Sequence, residues 1–399
     1  MNETIREPAR ETEIYGDFDV VVVGGGIAGV AAAVRAAREG ATVCLLEKQI
    51  ALGGLATLGN VAIYLPLCDG FGRQVIGGIA EELLHLSVAD RPDAIPERFR
   101  DAGAAAEATH SAAQQSGGSK STTVDRYMAT FNPATLILAL DDFVTEAGVR
   151  VIFDVRVCGA AVEDGRIAAV FAEGKAGRFA VRAKAFIDAT GDADLANFAG
   201  EPTTVRDTNV ATAWFYAFRS DTGMRLVQGS RPYDRHGTPI SGSEPFFSGC
   251  TPDEITSFAM ESRRMIRERL REGETAYQFP TIPGFRMTRR IDGCHLLTEA
   301  DAEQWPEDTV ASFGSWREAS PAYPLPISSL KARTIANLWA AGRCIAADGL
   351  VWDLIRAIPV CALSGEVSAL LATGDANAAD VRRRVEAGGG IPAEPRRTQ

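Results

Sequence analysis

The chain has 399 residues, 46% of them hydrophobic, and a formal net charge of −11 at neutral pH. That length holds two domains or one large α/β domain with insertions, and the apolar share suits a full globular core. The acidic balance argues against a nucleic-acid surface or an anionic membrane partner, and no apolar run approaches the roughly eighteen residues of a bilayer span.

The first stretch, Met1–Gly16, is polar and of mixed charge with no apolar signal core, so an N-terminal arm and a cytoplasmic protein are expected. Val20–Val23 is a short β-branched run that suits a buried parallel strand. Gly24, Gly26 and Gly29 follow in G-x-G-x-x-G spacing, and the Ala-rich run Val30–Arg38 reads as a helix. A second apolar run, Thr42–Leu46, ends at Glu47. Each part has a task in binding a dinucleotide. Gly24 permits a tight turn, Gly26 lets backbone approach a pyrophosphate, and Gly29 lets helix pack on strand. The helix N-terminus offers unpaired N–H groups to phosphates, and Glu47 can accept from ribose hydroxyls. The alternative is a βαβ unit that binds nothing.

Leu52–Thr57 carries the paired glycines Gly53 and Gly54, which would let backbone pass close to a flat ligand. Gly77–Leu86 has the apolar spacing of an amphipathic helix. Residues 101–123 are rich in Ala, Ser and Gly and are expected to form a mobile loop. Asn132-Pro133 starts a helix over Ala134–Ala147 that stops at Gly148. Strands are expected at Val149–Val157, Val162–Val170 and Arg178–Ile187, with Asp164-Gly165 as a hairpin turn. Beyond Gly200 the texture changes to more aromatic residues and arginines, with one amphipathic helix at Pro252–Glu272. Ile335–Ala341 returns to an apolar strand ending at Gly342-Arg343-Cys344. Ile355–Leu371 is helical but interrupted by Pro359, and Asp375–Gln399 reads as a weak helix with a frayed end.

Seven cysteines form no Cys-x-x-Cys pair, and the four histidines show no metal-ligand spacing, so no metal site is expected.

Several separated pieces together resemble the FAD-dependent oxidoreductases whose flavin domain has the glutathione-reductase-type Rossmann fold. They are Asp19–Gly29 with Glu47-Lys48, Leu52–Thr57, Ile187–Asp192, Leu338–Arg343 and the Arg-rich segment Gly284–Gly293. The fold class implied is α/β: a Rossmann-like FAD-binding domain with an inserted α+β substrate domain. The division follows as an arm (1–16), a cofactor domain in three pieces (17–100, 124–199 and 325–374), the loop at 101–123, a substrate domain (200–324) and a tail (375–399). The resemblance implies that Gly24, Gly26, Ile27, Ala28 and Gly29 cradle the FAD pyrophosphate and that Glu47 and Lys48 lie at the adenosine ribose. It implies Gly53, Gly54, Leu55, Ala56 and Thr57 near the ribityl chain and flavin, and Val155 or Val157 near the adenine. Ala189, Thr190, Gly191 and Asp192 would close over the dinucleotide, and Gly342 and Arg343 would sit by the pyrophosphate or ribityl chain. Ile358 and Pro359, at a helix start, would approach the pyrimidine end of the flavin. No second glycine fingerprint is present for NAD(P)H, which disfavours the disulfide reductases. Gly342-Arg343-Cys344 stands where flavin hydroxylases carry Gly-Asp, which disfavours a monooxygenase.

The flavin would carry the electron chemistry, leaving the protein to position the substrate and supply an acid or base. His295, His236, Asp348 and Asp353 are the acid–base candidates, each with a structural alternative. Arg286, Arg289 and Arg290 are candidates for an anionic substrate, because guanidinium pairs with carboxylate in a two-pronged geometry. Their alternative is pairing with acids such as Asp292 and Glu299. Two readings of the whole remain: an enzyme acting on a small organic molecule, or a flavoprotein whose FAD is structural and which serves binding or assembly. The electron acceptor (oxygen, a quinone, a protein partner or NAD(P)H) and a homodimer are left open.

Overall fold

A computed structural model describes residue 5 and residues 8–91, 94–95, 128–234, 238–242, 244–318, 320 and 322–393. The expected loop at 101–123 and His236 lie outside the described residues. The fold is α/β around a central sheet that is parallel on one side. Strand β1 (Glu13–Val23) runs parallel to β2 (Val43–Leu46), which runs parallel to β5 (Arg150–Ile152). On its other side β1 pairs in parallel with β8 (Gly177–Asp188) along most of both strands. The outer edge of β8 is shared. Its first half pairs antiparallel with β7 (Arg166–Gly174), which pairs with β6 (Arg156–Glu163), while Phe186–Asp188 pairs in parallel with β16 (Leu338–Ala340).

The sequence causes of this core are direct. Val20, Val21 and Val22 are fully buried, as a central strand covered on both faces requires. Helix α1 (Ile27–Arg38) is buried at every position through Ala36, so small alanines are what let it fit between sheet and neighbours. It packs on α8 (Ile358–Ala372), which is also buried nearly all round. The two helices approach closely at Gly365, where an added Cβ would lie 2.1 Å from the Ala28 carbonyl oxygen. Helix α2 (Ile79–Ser87) and α3 (Pro133–Glu146) complete this layer; the Asn132 side chain caps α3 by accepting from the Ala134 amide at 3.0 Å.

Three differences from the expected elements have clear causes. The single strand expected over Val149–Val157 is two strands, because Asp154 adopts a left-handed φ of 57° and turns the chain out of the parallel edge. β6 then joins the far end of the sheet order, with Asp164 and Gly165 (φ 48° and 70°) making its hairpin turn to β7. Pro359 opens α8 rather than interrupting a helix, since a missing N–H costs nothing in a first turn. The residues before it form a separate helix, α7 (Gly349–Leu354). The tail is not frayed through Ala393. Helix α9 (Ala378–Ala387) buries Val381 and Val385, and Ala393 donates to the Val310 carbonyl at 3.1 Å.

Between Ala199 and Met287 the apolar residues gather in two small clusters of their own. One joins Phe215 and Val227 of the antiparallel sheet β11-β10-β12 (Gly223–Ser230, Thr212–Arg219, Thr275–Gln278) to Met265 and Ile266 of α5 (Pro252–Arg269). The other stacks Phe247, Phe258 and Phe285. From Met287 onward the buried residues belong again to the main core. Among the described residues, no helix is long and apolar enough to cross a membrane.

Candidate functional site

The glycine fingerprint forms a cradle at the C-terminal end of β1. Gly24 has a φ of 101°, and an added Cβ would sit 2.5 Å from the Ala189 carbonyl oxygen. Gly29 is tighter still, with 1.8 Å from its would-be Cβ to the Gly24 oxygen, so the turn and the helix are fused through missing side chains. Gly26 is different: among the described residues nothing lies within 4 Å of its would-be Cβ. It is the open face of the turn, where a ligand's phosphates can meet backbone. No side chain caps α1, so its first amides point toward that space.

Other sequence-predicted segments converge here. Gly53 donates its amide to the Gly25 carbonyl at 2.8 Å, and a Cβ on Gly54 would lie 3.1 Å from the Gly26 Cα. Leu55 and Ala56 continue from Gly54 as a short 3-10 turn, and the Thr57 hydroxyl closes it on the Leu52 carbonyl at 2.6 Å. Gly342 passes over α1, its would-be Cβ 3.0 Å from the Ala28 side chain, and its amide donates to Ser364 Oγ at 2.9 Å. Glu47 is buried and accepts from the Gly25 amide at 2.5 Å and the Gln49 amide at 2.7 Å. A carboxylate has about four acceptor positions, so two remain for a ribose diol. Val155 lies beside this end, its amide N–H donating to the Glu47 carbonyl at 3.2 Å, and Val157 is buried in the adjoining strand pair. A free helix N-terminus, an open glycine and an acid with spare acceptors fit the pyrophosphate and ribose of a dinucleotide.

Ala189–Asp192 forms a second wall. Ala189 donates to the Val23 carbonyl at 2.9 Å, and Gly191 is so close to Arg343 that a Cβ would lie 2.9 Å from its guanidinium. Arg343 donates to the Gly191 carbonyl, to Asp192 Oδ1 at 2.9 Å and to the Phe285 carbonyl at 3.1 Å. Thr288 adds an O–H bond to the same carboxylate at 2.6 Å. Burial pushes the Asp192 carboxyl up, but Arg343 and Lys48 more than offset it and hold it below the ordinary carboxylate range. Asp188 is a residue the motif reading passed over. Fully buried at the end of β8, it accepts from the Thr190 amide and hydroxyl and from the Ala196 amide, and burial raises its pKa. The signal was there: an acid closing an otherwise apolar strand.

The chemistry candidates separate. Arg289 reaches Asp194 at 3.4 Å and Arg290 reaches Asp292 at 3.2 Å. Asp194 is lifted to about 6 by burial and by Asp192 and Asp188, a shift that solvent screens because its side chain is 37% exposed. Asp348 caps α7 by accepting from the Gly349 amide at 2.8 Å. His295 Nε2 lies 2.7 Å from Asp301, which also caps the turn at Thr298. Ile358 and Pro359 open α8, whose N-terminus no side chain caps.

The densest charge cluster centres on Asp353, which is fully buried and not a surface charge. Arg286, Arg317 and Arg356 each reach its carboxylate at 2.5 Å. Burial alone would raise its pKa, yet the three guanidinium groups hold it well below the ordinary range. Arg286 stacks on the Tyr233 ring at 3.7 Å, and Arg317 on the Trp316 ring at 4.3 Å. Burial first and then the neighbouring Arg356 push Arg286 down to about 10, with Asp353 acting against them. Arg317 drew no attention in sequence because nothing local distinguishes it. A recess lined by Thr212, Phe258, Arg263 and Pro280–Gly284 includes none of the glycine-cradle residues and none of the Asp353 arginines.

Residues 19–223 and 249–385 match the sequence model of the FAD dependent oxidoreductase family. Over 72 residues the chain is 39% identical to the thioredoxin reductase of Ureaplasma parvum serovar 3, a stretch covering 18% of this chain and 23% of that protein. A geranylgeranyl bacteriochlorophyll reductase-like protein from Thermoplasma acidophilum aligns with 14% identity and a TM-score of 0.46 over 94% of this chain and 83% of its own. The p-nitrophenol 4-monooxygenase of Pseudomonas putida DLL-E4 aligns with 16% identity and a TM-score of 0.42 over 90% and 78%. Likenesses this distant assign neither substrate nor reaction. The family match extends over most of the chain and includes every segment of the glycine cradle: the chain belongs to the FAD dependent oxidoreductase family, and its cofactor is FAD.

Proposed function

We propose that this protein moves a hydride between FAD and a small organic molecule, in a glutathione-reductase-type Rossmann arrangement with the region 200–324 as its substrate-side insertion. The parallel order β5-β2-β1-β8-β16 beside the antiparallel group β6-β7-β8 supports that arrangement, and the separate apolar clusters between Ala199 and Met287 support the insertion. The observation that carries the functional reading is the convergence of Gly26, Gly53–Gly54 and Gly342 on one uncapped helix end beside Glu47.

FAD, when bound, supplies the electron chemistry. The chain's own residues do the rest. The α1 amides and Gly26 hold the phosphates, and Glu47 takes the ribose hydroxyls. Arg343, clamped by Asp192, Gly191 and Phe285, ties the Ala189–Asp192 wall to the segment that enters the Arg-rich stretch. The uncapped start of α8 is a partial positive charge that favours negative charge gathering on a neighbouring group. His295, oriented by Asp301, takes the substrate proton in this reading.

The test is a purified protein, its visible spectrum, and a screen of metabolites for anaerobic bleaching of the flavin bands. A yellow protein bleached by one class of small molecule is expected. A protein that neither retains FAD nor takes it up on reconstitution refutes the reading.

A further inference from the structure

We propose that the arginine cluster around Asp353 is the recognition site for a carboxylate on the substrate, a reading that rests on the hydride-transfer function above and names its substrate class. Three guanidinium groups converge on one carboxylate, and Asp353 is the only acid that pairs with them among the described residues. Three positive charges against one negative leave two uncompensated in a mostly buried place. A network built for structure alone would be neutral and satisfied, because an unpaired buried charge is among the costliest features a fold can carry.

The donors tell the same story independently of charge. Arg286 Nε and Arg317 Nη2 are buried and have no hydrogen-bond partner among the described residues, although Asp353 is close to both side chains. Asp353 already accepts from all three arginines, twice from Arg356. Three of these bonds crowd Oδ1 and one reaches Oδ2, none of them from the two orphaned donors, which take an acceptor from elsewhere. The side chains of Arg286, Arg317 and Arg356 keep 11%, 17% and 19% exposure, so the cluster is not sealed. Tyr233 lies against the Arg286 guanidinium and Trp316 against that of Arg317, which restrains both forks, and a carboxylate can take two N–H donors of one fork in a bidentate pair.

Its place in the fold suits a substrate. Arg356 lies two residues before Ile358, where the uncapped α8 begins, and Arg286 follows Phe285, whose carbonyl accepts from Arg343 at 3.1 Å. The cluster therefore joins the late cofactor segment to the Arg-rich stretch. Asp353 is a positioning residue here: it fixes the three forks while leaving charge and donors to spare.

The experiment uses the FAD-loaded protein, with flavin content measured first from its visible spectrum. Calorimetric titrations compare benzoate with benzamide, succinate with succinamide, and both acids with sulfate. At least one carboxylate binding tenfold or more tighter than its amide, and tighter than sulfate, is expected. Arg317→Gln is expected to bring the acid-to-amide ratio to near one with FAD content unchanged, and Arg317→Lys to restore part of it. Arg356→Gln gives the same test at a second position should Arg317→Gln fold poorly. Failure of both acids to bind the flavin-loaded protein overturns the proposal, as does a ratio that survives in a folded variant or sulfate binding as tightly as the acids. Loss of FAD from the wild-type protein would instead strike the hydride-transfer reading, so the two failures are distinguishable.

Discussion

Alanine at Gly26 and alanine at Gly29, three residues apart in one turn, are expected to have different effects. At Gly29 the new methyl would lie 1.8 Å from the Gly24 carbonyl oxygen and 2.9 Å from its carbon, both backbone, with Ala189 Cβ at 3.3 Å. Backbone cannot rotate away as a side chain can, so the turn must open, at a cost of about 1–3 kcal/mol or more. The helical gain of alanine over glycine, about 1 kcal/mol, offsets only part of this. At Gly26 the methyl meets nothing within 4 Å, and the backbone (φ −66°, ψ 177°) suits any residue. The flavin-free protein should there change little in stability, since the gain of about 0.4–1 kcal/mol from restricting the unfolded chain is set against alanine's poorer capping at this N-cap position. That same methyl occupies the approach of the phosphates, and FAD affinity should fall at least about tenfold, or about 1.4 kcal/mol. Urea melts of the flavin-stripped proteins and flavin fluorescence titrations separate the two effects. Gly26→Ala protein that holds FAD like the wild type, or Gly29→Ala protein as stable as the wild type, would refute the account of this turn.

Glu47→Ala removes the acceptor beside the Gly25 amide and should release FAD on gel filtration where the wild type retains it; equal retention would end the ribose role. Asp353→Asn leaves three arginines around a neutral amide and should cost about 3–5 kcal/mol in chemical denaturation, the range for breaking one side of a buried charge network; a loss under 1 kcal/mol would contradict the picture. Glu366 sets a pH dependence. Burial lifts its carboxyl to about 7 despite the Arg35 pair at 2.9 Å, so the folded chain holds a proton that the unfolded chain releases near the ordinary 4.5. Stability from this site should then fall as pH rises from about 4.5 to about 7, and Glu366→Gln should flatten that slope in melts across the window. His295→Asn should lower the rate of flavin reduction by substrate with FAD content unchanged; an unchanged rate would return His295 to a purely structural pair with Asp301.

The parts of this molecule legible in the sequence are those written locally. Val20–Val23, the glycine turn, α1 and the Asn132 cap each follow from neighbours within a few positions, where periodicity and capping chemistry act. The split at Asp154 was not legible, because the apolar alternation continues across it and only the left-handed backbone breaks the strand. The Asp353 cluster was half legible. Arg286 stood out in an Arg-rich segment, but its acid lies 67 residues away and the third partner, Arg317, lies 36 residues from that acid. Such pairs are made by the tertiary fold. Asp188 went unnoticed for a related reason: its three donors come from the turn after β8, and only folding reveals that the acid is enclosed.

The contact between α1 and α8 has a consequence for how the protein matures. Arg35 pairs with Glu366, 331 positions further along the chain, and Gly342 rests on Ala28. During synthesis α1 leaves the ribosome well before either partner and meets neither until Gly342 and Glu366 have followed it. Until then its small alanine face has no cover, and one wall of the cofactor seat is missing. FAD seating is therefore expected to follow the docking of α8 on α1, a contact 331 positions apart in sequence, and the nascent chain must keep α1 from other apolar surfaces in the meantime.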